Sequence, residues 1–328
     1  MAQNIYLEIK KELSEIQKDI PLKEYTTFKI GGPAKYFFIA KSKEDLIKAI
    51  EISRKFKLPF FIFGGGSNIL VSDKGFNGLV IKLQILGTEI KENKIYSGAG
   101  VMLPKLANII SKNGFTGFEW ATGVPGTIGG AIYGNAQAFG TKVSDAIDSV
   151  EALDIKTLKI KHLSKEQCKF VLKNSIFKKN KNLVILSVVL KLERGDEKEI
   201  KEKINKFLKH RKNCHPISFP SAGSVFVNPE IKIKNKKLLG KYPELNEINK
   251  IGVIPSGYFI ERSGLKGKKI GQAQISEKHA NFIINLGNAK AKDVLALMNL
   301  AKKKVKDNFN INLETEIQQI GFSAPIKR

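Results

Sequence analysis

Cysteine is nearly missing from this chain of 328 residues: only Cys168 and Cys214 occur, and no CxxC is formed. A disulfide scaffold or a zinc ribbon needs more sulfur than that. Histidine is almost as sparse. His162, His210, His215 and His279 make no pair at helical ligand spacing, so no catalytic metal is expected. Arginine supplies only Arg54, Arg194, Arg211, Arg262 and Arg328 of the 56 basic residues. No apolar run approaches the roughly 18 residues of a membrane span. The N-terminal stretch, with Glu8, Lys10, Lys11, Glu12 and Glu15, lacks the apolar centre of a signal peptide. These absences describe a soluble cytoplasmic protein whose two cysteines are free thiols.

What is present is lysine. The formal net charge is +25, carried by lysines spread along the whole length and interleaved with Glu and Asp. A nucleic-acid reader draws on arginine for bidentate contacts and clusters its charge with stacking aromatics. The pattern therefore reads as solvated surface, with some attraction for anionic phosphates. Hydrophobic residues make up 42 % of the chain, enough for full cores in two or three domains at about 150 residues each.

Along the chain, Ile5, Ile9, Leu13 and Ile16 recur at a helical period. Residues 35–40 read as a strand, and Ser42 opens an N-cap pattern before a helix through Leu46, Ile47, Ile50 and Ile52. A wholly apolar strand at 59–63 then runs into glycines. Further strands are expected at 79–83, 94–98, 149–161 and 183–193, with a helix near 103–113. A charged helix at 196–212 looks like a connector. After it come strand-like 222–227, a helix at 256–263, a strand at 281–286, a helix at 291–306 and a last strand at 312–320.

Two glycine-rich passages carry the chemistry. Phe63 is followed by Gly64, Gly65, Gly66, Ser67 and Asn68. Glycines there let a ligand meet bare backbone N–H groups, and successive N–H groups form an anion nest suited to a pyrophosphate. The pattern is not GxGxxG, so a dinucleotide site of the Rossmann type is disfavoured. The second passage runs Thr122, Gly123, Val124, Pro125, Gly126, Thr127, Ile128, Gly129, Gly130, and on to Gly134 and Asn135. Its Gly126–Gly130 part could open a helix whose N-terminus faces a phosphate. Together the two loops suggest an extended dinucleotide between two subdomains.

The series TTFKIGG at 26–32, GGGSN at 64–68 and GVPGTIGGA at 123–131 resembles the UDP-N-acetylenolpyruvoylglucosamine reductase family. The likeness continues through PSAGSVF at 220–226, IGQAQISEKHANFIIN at 270–285 and LETEI at 313–317. It covers nearly the whole chain in order. The resemblance implies an α+β architecture: a two-subdomain FAD-binding unit of the vanillyl-alcohol-oxidase type, plus a smaller α+β substrate-binding domain. The expected boundaries are 1–82, completed by 312–328, then 83–196, then 197–311. FAD would lie noncovalently between the first two, since neither glycine-rich loop holds a His or Cys, and the third would close over it.

By the same resemblance, NADPH reduces FAD, and hydride then passes to the enolpyruvyl double bond of a UDP-sugar. Gly64, Gly65, Gly66, Ser67, Asn68, Thr122, Gly123, Gly126, Gly129 and Asn135 would bind the cofactor. Ser224 matches the family's proton donor and Glu316 its carboxylate. Without that context Ser224 reads as a turn-forming hydroxyl, and Glu314 and Glu316 as two exposed strand acids. Arg211 and Asn228 match substrate-binding positions. With no Rossmann site, NADPH and the UDP-sugar would share or alternate at one flavin face.

Several positions depart from the family pattern. Lys173 stands for its clamping Arg in Leu172-Lys173-Asn174-Ser175-Ile176-Phe177, Cys214 and Val227 for two lysines, and Gln137 for a glycine. Lysine keeps the charge but loses the planar fork. A slower reductase is therefore expected. Three other readings stay open: an FAD oxidase of the wider vanillyl-alcohol-oxidase type, a basic nucleic-acid-binding protein, and a flavoprotein that keeps FAD without catalysis.

Overall fold

The computed structural model describes residues 2–322, and the chain divides into two compact units. The first comprises residues 1–21, 33–66 and 76–211; the second comprises 22–32, 67–75 and 212–328. Each holds its own apolar core, and both mix helices with sheets, the α+β class expected from the sequence.

In the first unit, a four-stranded sheet has the order Gln17–Pro21, Pro33–Ala40, Phe76–Leu83, Phe60–Phe63. Its last three strands are parallel neighbours, which requires a crossover, and the helix Lys43–Lys55 supplies one. That helix starts where the N-cap pattern placed it. Ser42 Oγ accepts from Asp45 N at 3.0 Å, and the Asp45 carboxylate accepts from Ser42 N at 3.1 Å. A second, antiparallel sheet runs Lys159–Ser164, Ile147–Asp154, Leu183–Lys191, Lys94–Gly98, Thr88–Lys91. Tyr36, Ile81, Ile95, Trp120 and Val188 bury one continuous core beneath both sheets.

The second unit is built on a small antiparallel sheet in the order Ser221–Ser224, Phe282–Asn285, Ala273–Ile275, Lys269–Ile270. The helix Ala291–Phe309 packs on it through Val294, Leu297, Met298, Ala301 and Val305, the spacing of one helical face. A parallel pair, Ile69–Val71 with Gln318–Ile320, belongs to this unit as well.

Several sequence expectations change. The first helix ends at Glu12, so Leu13 and Ile16 are buried outside it. The single strand expected at 149–161 is a hairpin, Ile147–Asp154 and Lys159–Ser164. Asp154 Oδ1 accepts from Lys156 N and Thr157 N and turns the chain there. The last strand covers only Gln318–Ile320.

The division into units also differs from the three-part expectation. Residues 1–82 and 83–196 contribute the two sheets of one unit, because they share a core. The connector helix, Glu197–Cys214, packs Phe207 against that same core. The final strand does return to the first 82 residues, but its partner Ile69–Val71 lies in the second unit. Residues 323–328 of the expected 312–328 segment, Arg328 included, lie outside the described residues. Among the described residues, no helix is long and apolar enough to cross a membrane, and no three His, Cys, Asp or Glu group to hold a metal ion.

Candidate functional site

In the first unit the two glycine-rich loops meet. A methyl group at Gly65 would lie 2.8 Å from Gly126 Cα, and one at Gly64 would lie 2.5 Å from Thr127 Oγ1. Real side chains do not fit at those distances, so glycine is required by the approach of the loops. Gly66, Gly123 and Gly126 have φ of +64°, +73° and +114°, a region that costs other residues energy. Among the described residues, nothing accepts from the N–H groups of Gly64, Gly65 and Gly66. Consecutive free amides in a tight turn are what an anion nest presents.

The expected helix N-terminus does not add to this cradle. The helix Ile128–Tyr133 forms, capped by Thr127. Its first three amides are already engaged: Ile128 N with Val101 O, Gly129 N with Ala99 O, and Gly130 N with Thr127 Oγ1. Gly129 instead serves close packing, since a methyl there would meet Ala99 Cβ at 2.8 Å.

Asn135 is also corrected. Its buried side chain faces protein, donating to Val171 O at 2.9 Å and accepting from Ser144 N at 3.4 Å. It therefore fixes the turn Val171–Asn174, in which Lys173 sits at φ +51°. Ser175 steadies the same turn by donating to Tyr133 O at 2.7 Å. Asn135→Ala is expected to destabilise the fold by about 1–3 kcal/mol in urea denaturation, because the buried Ser144 amide loses its acceptor. A change within about 0.5 kcal/mol would return Asn135 to the ligand-binding set.

Arg211, expected at the substrate, lies against the second glycine loop. Its Nη2 donates to Trp120 O at 3.1 Å, and a methyl at Gly123 would be 3.3 Å from its Cδ. Three buried donors in this neighbourhood lack partners: Trp120 Nε1, Thr122 Oγ1 and Arg211 Nε. Buried polar atoms are rarely left so. The glycine cradle and these orphaned donors fit a phosphate-bearing, hydrogen-bonding cofactor such as FAD. Trp120 was not singled out by the sequence, which carries no pattern that would mark it.

In the second unit, Ser224 and Glu316 come together on neighbouring segments. Ser224 ends a strand that bulges between Ser221 and Ser224, with Gly223 at φ +74°. A bulge re-aims the side chain that follows it. The Ser224 hydroxyl makes no hydrogen bond among the described residues. Immediately after it, Val225 O accepts from Glu316 N at 2.8 Å, and Val227 N donates to Glu314 O at 2.9 Å.

Other expected residues hold this frame. Asn68 Nδ2 donates to Glu316 O at 3.3 Å, and Asn68 O accepts from Gln318 N. Asn281 clamps Phe226 through both its amide atoms at 2.9 and 2.8 Å. Thr27, from the TTFKIGG series, donates to Ser221 O at 2.8 Å. Asn228 Oδ1 accepts from Ser256 N and so caps the helix Ser256–Arg262. Glu314 is exposed while Glu316 is half-buried, which separates the two acids that the sequence left together.

A family model described as FAD binding domain matches residues 34–164, and one described as UDP-N-acetylenolpyruvoylglucosamine reductase, C-terminal domain, matches 215–320. The chain is 40 % identical over 324 residues to the UDP-N-acetylenolpyruvoylglucosamine reductase of Caldanaerobacter subterraneus subsp. tengcongensis, covering 98 % of this chain and 99 % of that one. It is 41 % identical over 316 residues to the reductase of the same name from Caldicellulosiruptor bescii, covering 95 % and 93 %. Among solved structures, UDP-N-acetylenolpyruvylglucosamine reductase from Thermus caldophilus superposes with a TM-score of 0.73 at 30 % identity, over 93 % of this chain and 99 % of that one.

Proposed function

The chain belongs to the UDP-N-acetylenolpyruvoylglucosamine reductase family, and from that premise we propose that it reduces UDP-N-acetylglucosamine enolpyruvate to UDP-N-acetylmuramate, a step of peptidoglycan precursor synthesis. FAD, held noncovalently, would supply the hydride-transfer chemistry there, with NADPH as the reductant. Cys168 and Cys214, which form no disulfide, suit a cytoplasmic location.

The residues divide the remaining work. Amides of Gly64, Gly65 and Gly66 hold phosphate oxygens, and Ser67 stands next in the same loop. Thr122, Gly123 and Gly126 line the second loop. Hydride addition leaves negative charge on the carbon beside the substrate carboxylate, spread into it as an enediolate. That charge needs a nearby cation and one proton. Ser224 gives the proton from its hydroxyl and regains one from solvent. Glu316, fixed through its backbone to Val225 and Asn68, orients the carboxylate end. Lys173 is the cation.

The observation that carries this assignment is the idle Ser224 hydroxyl, re-aimed by a bulge and held one residue from the contact to Glu316. An anaerobic absorption experiment tests it. NADPH should bleach the flavin bands, and the enolpyruvyl substrate should restore them. Bleaching without recovery would point to another acceptor, and rapid recovery with oxygen alone to an oxidase.

Lys173→Arg should speed recovery of the flavin bands severalfold while leaving bleaching by NADPH unchanged, since the guanidinium pairs with a carboxylate through two bonds. Stopped-flow absorbance checks this. An unchanged rate would mean that Lys173 is not a weakened clamp.

A further inference from the structure

Phe139 sits at the tip of the hairpin formed by Gln137–Ala138 and Thr141–Lys142, with φ of +53°, and Gly140 follows at +82°. Two successive left-handed residues make a turn that favours Asn-Gly or Gly-Gly. Phenylalanine in the first place is strained there. Burial does not account for it, because the residue is 38 % exposed. The ring stacks on Phe207, with centroids 4.2 Å apart and planes 12° off parallel. The Arg211 guanidinium carbon lies 5.2 Å from the same ring, and His210 meets its edge at 5.2 Å.

Arg211 is thus held by an aromatic ring and by Trp120 O, yet no carboxylate pairs with it among the described residues. Burial lowers its pKa from the ordinary value. A shielded cation without a counter-charge is costly unless something anionic arrives. Its Nε is one of three buried donors without partners in the stretch it touches, with Trp120 Nε1 and Thr122 Oγ1. All three can donate to oxygen, and an aromatic hairpin tip keeps the guanidinium from swinging into solvent.

We propose that Phe139 is a positioning residue, kept at a strained turn because its ring holds Arg211 ready for a phosphoryl anion. The inference rests on the reading that the chain binds FAD and a UDP-sugar. Both carry a diphosphate, and that shared chemistry is what Arg211 recognises.

Four proteins separate the possibilities: wild type, Phe139→Ala, Phe139→Gly and Phe139→Tyr. FAD release from each holoprotein is measured by equilibrium dialysis. UDP-N-acetylmuramate is titrated into each and followed by flavin absorbance, and melting temperatures are recorded alongside. Phe139→Gly relieves the left-handed backbone and should melt higher than Phe139→Ala. Both should nevertheless bind one of the two ligands about tenfold more weakly than wild type, the loss expected when a charge-assisted hydrogen bond loses its alignment. Phe139→Tyr keeps the ring and should bind as wild type does.

Affinity would then follow the ring and not the stability, which a merely structural role does not produce. Loosened FAD assigns Arg211 to the cofactor's pyrophosphate, and a loosened UDP ligand assigns it to the substrate's diphosphate. Wild-type affinity for both ligands in Phe139→Gly overturns the proposal. A wild-type protein that binds neither ligand defeats the functional reading first, and the proposal with it.

Discussion

Ser224→Ala is expected to leave bleaching by NADPH at its wild-type rate and to slow recovery of the flavin bands by about 10²–10⁴-fold, the range that a positioned proton donor contributes. The expectation follows from what the hydroxyl does not do. It makes no hydrogen bond among the described residues, so its removal costs the fold little. The strand around it is held elsewhere, by Asn281 on Phe226, by Glu316 N on Val225 O and by Thr27 on Ser221 O. Melting temperature should therefore stay within a few degrees of wild type, for a stability change of about 1 kcal/mol or less. A variant that recovers at the wild-type rate would remove Ser224 from the chemistry. A variant that melts far lower would show that the hydroxyl has a structural partner.

Gly65→Ala should yield protein that no longer retains FAD through gel filtration. The added methyl would lie 2.8 Å from Gly126 Cα and 3.2 Å from Gly126 C. Both are backbone atoms, so no side chain can swing aside. Relief requires the second loop to retreat, and that moves the Thr122–Gly126 stretch away from the free amides at Gly64–Gly66. Overpacking of this kind costs about 1–3 kcal/mol in stability, but the cradle is lost outright, because its two halves are then misplaced. Gly134→Ala is the matched control. Its φ of −95° suits any residue, and its nearest neighbour would be 3.9 Å from the methyl. If both variants kept FAD equally well, the meeting of the loops would not be what binds the cofactor.

Much of this was legible where chemistry is local. The capping box at Ser42 and Asp45 is written in four consecutive residues, and the run of glycines that must meet another backbone in three. Short-range turn chemistry is subtler: Asp154 folds its segment into a hairpin without glycine or proline, and Leu158 accepts φ of +58° there. The illegible part is long-range. Nothing in the composition near Asn135 says that its side chain reaches Val171, 36 positions on, in place of a ligand. A three-residue strand such as Ile69–Val71 is too short to show a period. Phe139 gave no signal at all, because its strain and its contacts exist only once the hairpin lies on the helix Glu197–Cys214. The glycines at which the two loops meet were marked in the sequence, while Trp120 and Phe139, the neighbours of Arg211, were not.

The chain passes from one unit to the other at residues 21/22, 32/33, 66/67, 75/76 and 211/212. No single cut can therefore release two self-sufficient halves. The contact of Asn68 with Glu316 spans 248 positions. At about 5–20 residues per second of translation, Ile69–Val71 leaves the ribosome on the order of ten to fifty seconds before its partner strand exists. Through that interval three apolar residues, buried in the finished protein, have no strand beside them. The first unit can assemble while synthesis continues. The second, with Ser224, must wait for Gln318–Ile320, so a nascent chain stalled in its last helix would already own the glycine-rich loops of the first unit yet lack the strand that pairs with Ile69–Val71.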